Sequence, residues 1–179
     1  MRDWNVVVTV HDRQFVRACQ LLAQFGRVER TEYYNVLVMK VADRAAFLDA
    51  LADLAATVPD ILGVISRAAP ATETFTFQDA EEFEARARET ALTWLPHLAG
   101  KSFHVRLHRR GFRGRLSSPE EERFLDEALL DALDRAGTPG RISFDDPDAI
   151  LDVETVSNRA GLSLWTREDL TRYPFLKLD

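Results

Sequence analysis

The sequence contains a single cysteine, Cys19, among its 179 residues. One thiol cannot form an internal disulfide, and it excludes zinc sites built from several thiolates. Seven prolines and eight glycines are too few for a fibrous or low-complexity chain. No apolar run approaches the ~20 residues of a membrane-spanning helix, and the N-terminus lacks the basic start and apolar middle of a signal peptide. We therefore expect a soluble cytoplasmic protein.

The chain also lacks the short motifs of several common active sites. It contains no Gly-x-x-x-x-Gly-Lys-Ser/Thr, no Gly-x-Gly-x-x-Gly and no Gly-x-Ser-x-Gly. Its histidines form no metal pair at helical spacing. His104 and His108 lie about 13 Å apart if the segment is a strand, which is too far for one metal ion. The sequence therefore predicts no complete active site, no cofactor and no metal.

Charge is distributed unevenly along the chain. The whole protein carries a net charge of −6. Residues 101–115 nevertheless hold six basic residues and no acidic one, whereas residues 116–179 hold seven basic and fifteen acidic residues. A local concentration of cations on an acidic protein indicates a polyanionic partner.

The first 70 residues alternate between strand and helix patterns. Helical spacing of apolar residues follows the two capping residues Asp12 and Asp43, and the two predicted helices end at Gly26 and near Pro59. The order βαββαβ is the ferredoxin-like pattern of a mixed α/β protein. The predicted strands are Trp4–Val10, Val28–Tyr33, Val36–Val41 and Ile61–Ser66.

Residues 67–78 are predicted to be a connector, because Pro70 disfavours a helix and few apolar residues occur there. We place the domain boundary here and expect domains at 1–70 and 71–179. The second domain is also predicted to be α/β. Its predicted helices are Asp79–Leu95 and Ser118–Ala136, and its predicted strands are Phe103–Leu107, Arg141–Phe144, Ala149–Val156 and Gly161–Trp165.

The basic segment is the strongest candidate for binding RNA. A strand places Arg106 and His108 on one face, and the following loop adds further arginines, whose planar guanidinium groups bind phosphate oxygens in pairs. Phe112 lies between glycines and arginines, which suits stacking on an unpaired base. The alternative is that Glu120, Glu121 and Glu122 neutralise the arginines. The predicted RNA-binding residues are Lys101, Arg106, His108, Arg109, Arg110, Phe112, Arg113 and Arg115.

The residues alone also permit two other functions. In the acidic segment Asp148–Glu154, a strand places Asp152 and Glu154 on one face, which permits a small metal-dependent enzyme. The pattern is more typical of a turn that enters a half-exposed strand, and it lacks the spacing of a calcium loop. Alternatively, the basic loop docks an acidic protein or a second copy of this chain, which would make the protein an interaction module.

Residues 75–170 resemble the THUMP domain, an RNA-binding α/β module of tRNA- and rRNA-modifying enzymes. The order and spacing of the segments carry the resemblance, and Pro147-Asp148 followed by alternating apolar residues up to Val153-Glu154 is its most specific part. The matching segments are the acidic helix Asp79–Leu95, the strand Lys101–Arg106 that ends in basic residues, the capped helix Ser118–Ala136, the segment Asp146–Glu154 and the strand Ala160–Leu164.

The resemblance implies a function. THUMP domains commonly follow a ferredoxin-like domain and bind the tRNA acceptor stem together with it. Most family members also carry a catalytic domain, but some act as adaptors that present tRNA to a separate modifying enzyme. Because this chain ends at Asp179, we expect the stand-alone or adaptor type: a non-catalytic protein that binds tRNA near its 3′ end. Neutralising about four phosphates predicts a log–log salt slope of roughly −3.

Overall fold

The structure, a computed structural model, describes residues 1–178. The chain divides into two units. The first combines Met1–Thr72 with the segment that begins at Asp169, and the second is Glu73–Glu168. None of the described helices is long and apolar enough to cross a membrane.

The C-terminal segment differs from the sequence interpretation, which placed all of 71–179 in the second domain. The Ala68 N–H donates to the Phe175 carbonyl at 3.0 Å, and the Phe175 ring is buried. The Tyr173 hydroxyl donates to Asp49 at 2.5 Å. These contacts join residues more than a hundred positions apart, which no local sequence pattern reports, so the segment belongs to the first unit.

The first unit is a four-stranded antiparallel sheet in the order β2-β3-β1-β4, with two helices. The βαββαβ order of its elements and this strand order are those of the predicted ferredoxin-like fold. The central strands are almost wholly buried, as their continuous apolar sequences require. The elements are β1 (Val6–Val10), α1 (Phe15–Leu22), β2 (Arg27–Arg30), β3 (Val36–Lys40), α2 (Arg44–Thr57) and β4 (Ile65–Pro70).

The fourth strand lies further along the chain than predicted. Ile61–Gly63 forms a single 3₁₀ turn, and β4 continues through residues that the sequence interpretation assigned to the connector. Ala68 and Ala69 are weak strand formers, but they are buried and pair with β1, with Ala69 opposite Val7. Tertiary pairing therefore overrides the local propensity. Pro70 is tolerated because it ends an edge strand.

The second unit is a five-stranded sheet in the order β5-β9-β8-β6-β7. Strand β6 is parallel to β7 and β8, and β9 is antiparallel to both of its neighbours. The predicted connector contains β5, and α6 was not predicted. Its elements are β5 (Glu73–Thr76), α3 (Ala80–Leu92), α4 (Leu95–Leu98), β6 (Ser102–His108), α5 (Ser118–Arg135), β7 (Arg141–Ile142), β8 (Ala149–Val156) and β9 (Arg159–Thr166). The last helix, α6 (Arg167–Arg172), crosses the boundary between the units, because the segment of the first unit begins at Asp169.

The two faces of the second sheet differ in chemistry. Phe103, Val105 and Leu107 of β6 join a hydrophobic core that includes apolar residues of α3 and α5. The predicted alternation of β6 is therefore confirmed. Because side chains alternate along a strand, His104, Arg106 and His108 lie on the opposite face. Parallel pairing with β8 sets Arg106 opposite Asp152 and His108 opposite Glu154, so this face is polar.

Candidate nucleic-acid interface

Strand β6 separates the predicted cations into two groups. Lys101 precedes the strand and Arg109 follows it. At about 3.3 Å per residue, the two residues lie roughly 25 Å apart, which is more than twice the Debye length at ordinary salt. Lys101 is exposed, but it does not belong to the same cationic surface as the arginines of the loop.

Arg106 and His108 lie on one face of β6 as predicted, but that face is not a cationic surface. Asp152 and Glu154 of β8 lie opposite them, each only 2% exposed. The His108 Nδ1 atom is 3.6 Å from an Asp152 oxygen and 3.4 Å from a Glu154 oxygen. His108 therefore faces carboxylates rather than phosphates. Arg106 is half-buried on the same face.

Arg110 is neutralised within the protein. Its guanidinium forms an ion pair with the buried carboxylate of Glu154, and its backbone N–H donates to the Thr155 carbonyl at 3.1 Å. The alternative interpretation expected neutralisation by the acidic residues that begin the next helix, but the partner comes from β8. We therefore remove Arg110 from the predicted RNA contacts and assign it to the attachment of the loop to the sheet.

Phe112 anchors the loop instead of presenting its ring to a base. Its backbone has a left-handed conformation with φ of 52°, and Gly111 before it has φ of 99°. This turn directs the ring into the core, where its centroid lies 4.8 Å from that of Phe77. The Arg115 guanidinium lies 4.3 Å from the ring centroid, which is a cation–π contact. In this conformation the ring contacts Phe77 and Arg115, and base stacking by Phe112 stays a prediction.

Three arginines remain where a phosphate can reach them. Arg113 and Arg115 are exposed, and Arg109 is half-buried with its guanidinium donating to the Gly111 carbonyl. Arg109 and Arg115 line a groove of about 430 Å³ between the loop and the start of α5. The other residues that line it are Gly114, Leu116, Ser117, Ser118, Pro119 and Glu120.

The pattern Ser118-Pro119-Glu120-Glu121 predicts a capping box with Ser118 as the N-cap, but the start of α5 differs from it. Ser117 is the N-cap and makes no capping hydrogen bond with its side chain among the described residues, and Ser118 is the first helical residue. The first turn of an α-helix has backbone N–H groups without partners inside the helix. Ser117 and Ser118 both line the groove beside them. The sequence pattern Ser-Ser-Pro predicts the start of the helix, but it does not indicate that Ser117 and Ser118 belong to the site.

Glu121 does not close a capping box, because it is buried beside Glu84 of α3. Burial and the neighbouring Glu84 raise its pKa to about 7. Asp126, one turn further along, accepts a hydrogen bond from the Val105 N–H at 2.9 Å, and burial raises its pKa to about 7. Glu122 accepts one from the Leu107 N–H at 2.7 Å. Asp126 and Glu122 therefore support the β6 edge.

The acidic segment before β8 is a structural turn. Asp148 accepts hydrogen bonds from the Ser102 N–H at 2.9 Å and from its hydroxyl at 3.0 Å, which lowers the pKa of Asp148. Arg167 pairs with Asp146 at 2.9 Å and with Asp148 at 3.3 Å. The predicted half-exposed strand is wrong, because every residue of β8 is buried.

Neither a family model nor a curated protein matches this sequence. Solved structures do match it. PH1313 from Pyrococcus horikoshii aligns over 90% of this chain with a TM-score of 0.60 and 13% identity. TrmN from Thermus thermophilus aligns over 90% with a TM-score of 0.60 and 20% identity. A 4-thiouridine synthetase, in complex with RNA and ATP, aligns over 91% with a TM-score of 0.53 and 14% identity.

The fold is THUMP-like. This agrees with the resemblance to THUMP domains that the sequence of the second unit shows. In this chain a ferredoxin-like unit precedes the THUMP-like unit. The chain corresponds to 54% of PH1313, 44% of TrmN and 41% of the synthetase, so it spans about half or less of each of these structures. At these identities the likeness establishes the THUMP-like fold only.

Proposed function

We propose that this protein binds structured RNA, specifically tRNA near its 3′ end, as a non-catalytic factor that acts with a separate tRNA-modifying enzyme. The THUMP-like fold supports the proposal, and one structure that shares it is a complex with RNA. The sequence contains none of the common catalytic motifs listed above, which favours a binding role.

The observation that carries the proposal is the arrangement of the loop between β6 and α5. Phe112 holds the loop to the core, and Arg113 and Arg115, which follow it in the loop, are exposed. Arg109 and Arg115 line the groove together with Ser117, Ser118 and Glu120. Arginine forks and hydroxyls are the groups with which proteins contact nucleic-acid phosphates. We therefore assign phosphate binding to Arg109, Arg113 and Arg115.

Fewer cations are assigned to phosphate binding than the sequence predicts. Arg110 is paired with Glu154, and Lys101 lies at the other end of β6. Phosphate contacts position an RNA without reading its sequence, and shape then selects the partner. With three arginines in contact, the log–log salt slope is expected to be about −2 to −3.

The test measures binding of labelled tRNA by fluorescence anisotropy over a range of salt concentrations. In the double variant Arg113→Ala, Arg115→Ala, we expect a loss of affinity and a salt slope smaller by about 0.7 to 0.9 for each arginine. The matched control is Lys101→Ala, Arg141→Ala, which removes two exposed cations at the opposite end of β6. Equal losses in the two variants, or binding that ignores salt, would contradict the assigned surface.

A second arm tests the preference for the 3′ end. Intact tRNA is compared with tRNA from which the 3′-terminal nucleotides have been removed, and with a blunt RNA duplex of acceptor-stem length. We expect the intact tRNA to bind tightest. Equal binding of all three RNAs would restrict the function to general RNA binding. A pull-down with and without ribonuclease then distinguishes an RNA-bridged enzyme from a direct protein partner, and ribonuclease-resistant partners without any tRNA binding would favour the interaction module.

A further inference from the structure

On the polar face of the second sheet, one histidine and two carboxylates converge at the ends of β6 and β8. His108 supplies an imidazole nitrogen, and Asp152 and Glu154 each supply a carboxylate oxygen. One atom from each of the three side chains lies within 4.8 Å of the others. Both carboxylates are buried, and the His108 side chain is 19% exposed, so the cluster is reached from the histidine side. Sequence spacing hides the cluster, because the histidine comes from one strand and the carboxylates from the other.

The two distances from His108 suit a shared ligand better than direct hydrogen bonds. The His108 Nδ1 atom lies 3.6 Å from Asp152 and 3.4 Å from Glu154, beyond the 2.7–3.2 Å usual for a hydrogen bond from nitrogen to oxygen. This nitrogen is buried and has no hydrogen-bond partner among residues 1–178. Ligands about 2.0–2.2 Å from a tetrahedral zinc ion lie about 3.3–3.6 Å from one another. The two observed separations fall within that range.

The neighbouring arginine contacts the cluster through Glu154. Arg110 pairs with one oxygen of Glu154, Oε2, whereas the oxygen that faces His108 is Oε1. A carboxylate that ligates a metal through one oxygen commonly accepts a hydrogen bond at the other, which orients it. Arg110 is placed to supply this contact.

We propose that His108, Asp152 and Glu154 form a divalent metal site that prefers Zn²⁺. One imidazole and two carboxylates leave a fourth position on a tetrahedral ion for water. The ion would join the C-terminal ends of β6 and β8 at the base of the arginine loop, beside Arg110. Its role there is structural: a ligand that binds only the folded protein raises its stability. The site is separate from the groove to which we assign RNA binding.

The experiment titrates the full-length protein, stripped with a chelator, with zinc chloride in a calorimeter and follows thermal unfolding in parallel. We expect one Zn²⁺ per chain and a higher unfolding temperature with zinc. His108→Ala should weaken zinc binding at least about tenfold, since even changes in groups around the ligands cost that much. His97→Ala is the matched control, because His97 is exposed on α4, and it should bind zinc as the wild type does.

Asp152→Asn is the second variant, and circular dichroism confirms that each variant is folded. The Asp152→Asn substitution keeps the size of the side chain, so a loss of zinc binding in this variant cannot be caused by a cavity in the protein. The visible spectrum of the protein loaded with Co²⁺ provides an independent readout: we expect the intense absorption of a four-coordinate site, and its loss in His108→Ala. The absence of zinc binding by the wild type, or equal binding by His108→Ala and the wild type, would overturn the proposal.

Discussion

Glu121 shows how a single residue can be misread from sequence. Its position three residues into the pattern Ser-Pro-Glu-Glu predicts a capping box, but its side chain is 4% exposed and faces Glu84. One of its carboxyl oxygens is buried with no hydrogen-bond partner among the described residues. A buried carboxylate next to a second one is costly when it is charged, which is why the pKa of Glu121 is raised to about 7.

The raised pKa predicts how stability depends on pH. A group whose folded pKa lies above its unfolded value binds more protons in the folded protein. Its contribution is therefore present below pH ~4 and is lost as the pH rises through about 7. The pKa of Asp126 is raised as well, so both residues lower the free energy of unfolding as the pH rises from about 4 to about 7.

We expect Glu121→Gln to be more stable than the wild type at pH 8, by on the order of 1–2 kcal/mol after allowing for partial solvation. The two proteins should be nearly alike at pH 4, because the wild-type carboxyl is then largely protonated in both the folded and the unfolded protein. Urea unfolding at the two pH values measures the difference, with Glu89→Gln, an exposed residue of α3, as the control. A constant difference at all pH values would contradict the assignment.

At the scale of elements, α5 closes the exposed edge of β6. Strand β7 pairs with only the first two residues of β6, Ser102 and Phe103. Beyond that point the Val105 and Leu107 N–H groups donate to Asp126 and Glu122 of α5 instead of to a strand. An edge strand with unpaired backbone groups is prone to pair with other chains. Asp126 and Glu122 therefore take the place of a neighbouring strand along this part of β6.

We expect Asp126→Ala to lower the free energy of unfolding by about 1–3 kcal/mol, because it leaves the buried Val105 N–H without this acceptor. Asp126→Asn keeps an accepting oxygen without the buried charge and should be less destabilised than the alanine variant. Asp131→Ala, an exposed position on the same helix, is the control. Urea unfolding at pH 7 ranks the three variants. Equal stability of the alanine and asparagine variants would contradict a role for the hydrogen bond.

At the scale of the whole molecule, the last described residues complete the first unit after the chain has built the second. The Phe175 and Leu176 side chains are buried. Arg172 and Tyr173 both contact Asp49 of α2. The first unit is therefore discontinuous in sequence, and its stability depends on residues far from its own strands.

We expect Phe175→Ala to destabilise the first unit by about 3–5 kcal/mol, the usual cost of removing a buried ring. Hydrogen-exchange mass spectrometry should show lost protection in β4 and α2, with β8 unchanged. Phe144→Ala is the control, because that ring is 71% exposed, and it should cost less than about 0.5 kcal/mol. If protection were lost only in the second unit, the assignment of the C-terminal segment to the first unit would be contradicted.

Local patterns determined most of the secondary structure. Asp43 caps α2 by accepting from the Ala46 N–H at 3.0 Å, as its position predicts. Asp12 does not cap α1, because the helix begins at Phe15 with Gln14 at the N-cap position, and Asp12 accepts from the Tyr34 hydroxyl at 2.5 Å. Val16 belongs to the apolar pattern that predicts α1, but it is 65% exposed. Caps and stripes are local signals, and they fail where a distant residue competes for the same group.

The sequence by itself determined the order of strands and helices, the alternation of β6 and the likeness to THUMP domains, because these depend on neighbours along the chain. Tertiary structure alone decided which cations stay available. Arg110 meets Glu154 across 44 residues of sequence, and Phe112 meets Phe77. The register of β6 against β8 also brings His108 to its two carboxylates. Charge and ring contacts act through space, so a basic run in the sequence does not specify a basic surface in the fold.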